Sequence, residues 1–141
     1  MTDAVVFACD ANYAPYAYFA GRQIAMAHPD RSFDICVFSM DALTPPPAIA
    51  QLGIECRRIP GANPFEDAVH QTRHTAATYL QLLVPPLVHG NYRRILCLDC
   101  DVYFCGGDLR KLIDLDLRVN LLGGVRDHLQ WRRPGKRVDE V

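Results

Sequence analysis

Four short apolar runs constrain this chain more than anything else in it: Ala4–Cys9, Phe33–Phe38, Ile54–Ile59 and Ile95–Tyr103. Each is short and bounded by turn-forming or charged residues, so each reads as a strand. The segments between them carry helix signals. Pro15 opens the first helix, Tyr16, Phe19, Ala20, Ile24 and Ala27 recur at helical spacing, and His28-Pro29-Asp30 stops it near Ala27. Thr44 as cap with Pro45 behind it predicts a short helix through Leu52, stopped at Gly53. Pro60 to Asp67 reads as a loop, with Gly61-Ala62-Asn63-Pro64 as turn chemistry. Thr72 to Val84 predicts a second long helix, ended by Pro85-Pro86. Asp108 caps a last helix, Leu109 to about Ile113, and Asn120–Val125 reads as a fifth strand. Strands alternating with helices imply an α/β fold, a mostly parallel Rossmann-like sheet with helices on both faces.

Ligands on such sheets bind beyond the carboxyl ends of the strands. Three groups fall there: Asp10-Ala11-Asn12-Tyr13 after the first strand, Asp99 and Asp101 in the fourth run, and Asp127 after the fifth. The fourth run is the most informative. Its apolar residues lead straight into Asp99-Cys100-Asp101, and alternation along an extended chain puts the two acids on one side with Cys100 opposite. Two carboxylates so close repel each other, and a divalent cation resolves the conflict. Hard oxygen donors suit Mn²⁺ or Mg²⁺, which leaves open positions for phosphate oxygens. The alternative is a surface turn with two solvated acids.

The first turn excludes one function class. A dinucleotide-binding fold would place G-x-G-x-x-G there, and no glycine occurs between Met1 and Ala20. Asp10 and Asn12 can instead hydrogen-bond a base or ribose edge, and Tyr13 can stack on a base. The alternative is a local turn in which Asn12 caps the helix and Tyr13 packs beside it.

The remaining composition narrows the setting. At 141 residues, half of them hydrophobic, the chain suits one globular domain. A net charge of −1 gives no general attraction to nucleic acid or anionic lipid. No signal-peptide pattern or membrane-length apolar run occurs, so a cytoplasmic setting is expected, with the six cysteines reduced. Cys97 and Cys100 form a C-x-x-C pair inside a strand with no second pair after it, which argues against zinc. His70, His74 and His89 read as surface histidines. From Trp131 the sequence turns polar and basic, giving an expected domain at 1–130 and a tail at 131–141.

Several pieces together resemble glycosyltransferase family 8, retaining, metal-dependent sugar transferases of GT-A fold. They are Val5-Val6-Phe7-Ala8-Cys9-Asp10-Ala11-Asn12-Tyr13, His28-Pro29-Asp30, Thr78-Tyr79-Leu80-Gln81-Leu82, Ile95-Leu96-Cys97-Leu98-Asp99-Cys100-Asp101-Val102 and Leu121-Leu122-Gly123-Gly124-Val125-Arg126-Asp127, in that order. The resemblance implies a hexosyltransferase with a nucleotide-diphosphate sugar donor, UDP-hexose above all, and a glycan or other hydroxyl acceptor. It implies that Asp10, Asn12 and the Ala8 backbone bind the nucleotide with Cys100 alongside, and that Tyr13 stacks on uracil. Asp99 and Asp101 would bind Mn²⁺, and Asp127 would line the sugar side.

Two departures accompany it. Gln81 stands where the family has a cationic residue, and an amide supplies no charge. Family members are also roughly twice as long, so the third metal ligand, a histidine, and the catalytic residues are expected beyond residue 141; His128 does not match that ligand. The C-terminal part of the usual domain is therefore expected to be absent and an apolar face exposed, which would favour self-association. Two other readings stay open: a nucleotide-sugar-binding module without turnover, and a phosphatase of haloacid-dehalogenase type, in which a strand-end D-x-D supplies nucleophile and acid/base.

Overall fold

The computed structural model describes residues 1–66 and 76–125. Four strands, β1 (Thr2–Ala8), β2 (Phe33–Ser39), β3 (Ile54–Arg58) and β4 (Tyr92–Cys97), form one sheet in the order β3-β2-β1-β4, parallel throughout. Chain order moves outward from β1 to β3 and then crosses back to place β4 on the other side of β1. The direction reverses between β1 and β4, and open α/β sheets bind ligands in such a crevice, beyond the carboxyl ends of the strands.

The sheet is covered on both faces, as the strand–helix alternation requires. One face carries α1 (Ala14–Ala27), the short α2 (Pro47–Ala50) and α4 (Leu109–Ile113), whose Ile24, Ile49, Leu109 and Ile113 pack with Val5, Phe7, Ile35 and Val37. The other carries a 3₁₀ helix (Ala76–Leu83) running into α3 (Val84–Val88), with Leu80, Val84 and Val88 against Ala4, Val6, Cys36 and Phe38. Burial on both faces explains why β1 and β2 read as unbroken apolar runs. Helix α1 lies close to the sheet at Gly21. A Cβ there would stand 3.3 Å from Ile54 Cδ1 and 3.5 Å from Ile35 Cγ2.

Several sequence expectations are corrected by packing. Helix α1 buries Ala14, Ala17, Ala20, Gly21, Ile24 and Ala25, whereas Tyr16 and Phe19 are exposed. Small residues face the sheet because the helix sits close to it, so aromatic periodicity gave the wrong phase. Thr44 is not a helix cap; the short turn starts after Pro46, without a side-chain cap. Pro85 and Pro86 do not end a helix but occupy the first turn of α3, where proline's missing N–H costs no hydrogen bond. The expected start of the preceding helix, from Thr72, lies outside the described residues. Strand β4 begins earlier than expected, at Tyr92, and ends at Cys97, leaving Asp99 and Asp101 just beyond it. Residues 120–125 form no strand. Leu121, Leu122 and Val125 are exposed there, and an apolar run without a neighbouring ladder has nothing to pair with. Asp127, His70, His74, His128 and the 130/131 boundary lie outside the described residues.

At the amino ends of the strands the charges are paired. Asp3 is buried, and both its oxygens accept from Arg93, at 3.1 and 2.8 Å. Arg110 lies 2.9 Å from the same carboxylate. Asp114 accepts from Arg93 at 2.9 Å and from Arg110 at 2.7 and 3.0 Å, closing a four-membered network. Burial alone would raise the pKa of Asp3, but Arg93 and Arg110 outweigh it and hold it below the usual carboxylate range. Arg110 and Arg93 lower Asp114 to about 2. Arg94 donates to the Ile113 and Leu115 carbonyls, satisfying the open end of α4. His28 joins the two helices nearby: Nδ1 lies 3.1 Å from the Ile24 carbonyl, and Nε2 accepts the Leu109 N–H at 3.3 Å. This fixes the Nδ1–H tautomer. A cavity of about 270 Å³ lies between His28, Phe33, Asp108 and Arg110 on this rim, remote from the reversal point.

Candidate functional site

At the carboxyl rim, β1 gives way to a turn in which the Asp10 carboxylate accepts the Tyr13 N–H at 3.0 Å. The local turn is therefore built by Asp10; Tyr13 is the N-cap of α1 and makes no side-chain capping bond. Asn12, the expected cap, is exposed, with no hydrogen bond among the described residues. Tyr13 is 51% exposed among the described residues, with the Tyr16 ring 5.5 Å away between centroids.

Beside this turn, the carboxyl end of β2 supplies residues that carried no motif signal. Asp41 accepts the Ala11 N–H at 2.7 Å, and the buried Ser39 hydroxyl accepts the Asp41 N–H at 3.1 Å. Together they tie the loops after β1 and β2. The position just past a parallel strand was the available clue. Asp10, Ser39, Asp41, Asn63, Glu66 and Leu80 line a cavity of about 470 Å³, large enough for a base and ribose. Gln81 is exposed and is not among its lining residues, although its neighbour Leu80 is.

On the other side of the reversal point, β4 continues alongside β1. The Leu98 N–H donates to the Val6 carbonyl at 2.9 Å, and the Cys100 thiol donates to the Ala8 carbonyl at 3.5 Å. Cys100 is buried between two exposed acids, Asp99 and Asp101. Neither acid has a hydrogen bond or ion pair among the described residues. Their four oxygens suit a hard divalent cation, and two carboxylates alone leave further coordination positions open. Among the described residues no three His, Cys, Asp or Glu side chains converge. Cys9 and Cys100 influence each other: the neighbouring Cys100 thiol first, then burial, pushes Cys9 up, and the neighbouring Cys9 thiol draws Cys100 down.

The structure thus brings Ala8, Asp10, Asn12 and Tyr13 to one side of the crevice and Asp99, Cys100 and Asp101 to the other. All six cysteines are free thiols. No helix among the described residues is long and apolar enough to cross a membrane.

Among solved structures, the chain is similar to the galactosyltransferase LgtC in complex with donor and acceptor sugar analogs. The two share 28% identity at a TM-score of 0.63, over 94% of this chain and 49% of LgtC. An active-site mutant of LgtC gives a TM-score of 0.64 at the same identity and coverage. The apo form of the glycosyltransferase GlyE from Streptococcus pneumoniae TIGR4 shares the fold, at 23% identity and a TM-score of 0.60, over 92% of this chain and 30% of that one. The chain therefore spans about half the length of LgtC and less of GlyE. No curated protein sequence matches it. The sheet and its helices are of the GT-A type. Residues 4–140 match the model of Glycosyl transferase family 8, and the chain belongs to that family.

Proposed function

We propose that the carboxyl rim is the donor site of a retaining hexosyltransferase that uses a nucleotide-diphosphate sugar, UDP-hexose in the first instance, with Mn²⁺ or Mg²⁺. One observation carries this: at the reversal point, two carboxylates with no cationic partner among the described residues follow β4, and the adjoining end of β1 carries an exposed aromatic ring beside a cavity of nucleoside size. Family membership and the likeness to LgtC support it.

In this reading Asp10 and Asn12 hydrogen-bond the base and ribose, with the Ala8 backbone and Cys100 closing the floor. Tyr13 stacks on the base. Asp99 and Asp101 hold the cation, which when bound supplies Lewis-acid stabilisation of charge developing on the diphosphate. Gln81 offers the donor a neutral amide in place of a cation. Asp127 lines the sugar side. A glycan or other hydroxyl compound is the acceptor.

Calorimetric titration of the chain with UDP and UDP-hexose, with and without Mn²⁺, tests the proposal. Binding should appear with the metal and vanish with a chelator. Equal affinity in both conditions, or none in either, overturns it. Binding without sugar release would make the chain a binding module, and release of phosphate from a simple phosphomonoester would favour the phosphatase reading.

A further inference from the structure

The ladder between β1 and β4 pairs Val5 with Leu96 and Val6 with Cys97, a constant offset of 91 (96 − 5 and 97 − 6). Carried past the strand ends, the same offset sets Phe7 beside Leu98 and Cys9 beside Cys100. Burial agrees with that extension. Val5, Leu96, Phe7, Leu98, Cys9 and Cys100 all belong to one core cluster, on one face of the sheet. The Cys100 thiol already touches the carbonyl of Ala8, the residue before Cys9. Neighbouring strands run about 4.7–4.9 Å apart, inside the Cα separation that a disulfide spans. The other cysteines are placed elsewhere. Cys97 and Cys105 are exposed, Cys36 packs in the other core cluster with its sulfur 3.6 Å from the Tyr92 hydroxyl, and Cys56, at the edge of the same cluster as Cys9, sits on β3, two strands from β1, beside the Tyr18 hydroxyl at 3.4 Å.

We propose that Cys9 and Cys100 form a reversible disulfide that staples the end of β1 to the turn carrying Asp99 and Asp101, with a small-molecule disulfide as oxidant. Cys100, the more accessible at 8% exposure against 3%, reacts first. Its sulfur attacks one sulfur of RS–SR, the S–S bond breaks, and RSH leaves with the Cys100 proton. Cys9 sulfur then attacks Cys100 sulfur and expels the second RS group, which takes the Cys9 proton as RSH. Two protein thiols lose two electrons and one small disulfide becomes two thiols. Making the bond turns the Cys100 sulfur from the Ala8 carbonyl toward Cys9, and the turn between the two acids moves with it. Transient disulfides of this kind serve redox sensing in reducing compartments. The effect on cation binding rests on the donor-site reading above; the disulfide itself does not.

The test treats the chain with oxidised glutathione, maps peptides without reduction, and titrates Mn²⁺ before and after. A Cys9–Cys100 linked peptide is expected, with a melting temperature raised by roughly 5–10 °C. Mn²⁺ affinity should fall at least threefold by this reading and recover with a dithiol. Cys9→Ala and, separately, Cys100→Ala should give no linked peptide and no oxidation-dependent rise in melting temperature. Both thiols remaining alkylatable after denaturation, or Cys9 linked to some other cysteine, overturns the proposal. A linked peptide with unchanged Mn²⁺ affinity overturns the gating while leaving the staple. A linked peptide in a chain that binds no Mn²⁺ even when reduced supports the staple and overturns the donor-site reading instead.

Discussion

The amino-end rim of the sheet carries Asp3, Asp114, Arg93 and Arg110 in mutual contact. The carboxyl-end rim carries Asp10, Asp41, Glu66, Asp99 and Asp101 with no ion pair among the described residues. The residue types overlap and the strands are the same, yet the charges serve opposite ends. On the first rim each acid is held by two guanidinium groups, and the energy goes into fixing β1, β4 and α4 together. On the second the acids accept backbone N–H groups or have no polar partner among the described residues. Acids left without cationic partners beyond the carboxyl ends of parallel strands are candidates for ligand contact.

The comparison can be broken most directly at its unbalanced end. Asp99→Ala or Asp101→Ala should abolish Mn²⁺-dependent UDP binding while leaving the melting temperature unchanged or slightly higher. Intact metal-dependent binding in either variant would sink the assignment of the rim. At the balanced end, Asp3→Ala leaves Arg93 and Arg110 sharing Asp114 alone and should cost about 1–2 kcal/mol in urea unfolding. A loss below roughly 0.5 kcal/mol would mean the network is ornamental surface pairing. Tyr13→Ala should weaken UDP by roughly 1–3 kcal/mol in calorimetry, with stability almost untouched. An unchanged affinity returns the ring to local packing with Tyr16.

Acid sharpens the contrast with the smallest effect. Asp3 and Asp114 both have folded-state pKa values below their ordinary ones. Their contribution is complete above the ordinary carboxylate value of about 3.8 and is lost as pH falls toward about 2. Urea midpoints should therefore drop between pH 4 and 2 in the native chain, and drop less in Asp3→Ala. Equal drops would place the acid sensitivity elsewhere.

The four strands of the sheet, and the acids that follow β1 and β4, were legible because their signals are local. Apolar runs give strands, and acids just past an apolar run give candidate ligands. What escaped the sequence depends on distance or on partners. Asp3 and Arg93 lie 90 positions apart, so nothing local announces their pairing. Ser39 ends β2 and Asp41 follows it without any motif, and only the sheet order brings them to Asp10. The run at 120–125 has strand composition, but a strand needs a neighbour, and composition does not say whether one is present. The prolines at 85 and 86 read as a stop because a preceding helix was assumed; after a 3₁₀ segment they begin one.

Helix α1 touches the acid-bearing loop at more than one place. Its first residues adjoin Tyr13, Gln23 midway accepts the Phe104 N–H, and His28 at its far end holds the Leu109 N–H. The loop from Leu98 to Asp108 is therefore anchored to the middle of α1 through Phe104 and, through Leu109 just after it, to the far end of the helix whose N-cap is Tyr13. On the donor-site proposal, a single helix thus carries both the aromatic N-cap and the anchor of the loop bearing Asp99 and Asp101, so Gln23→Ala would loosen the acid-bearing loop while leaving the Tyr13 turn in place.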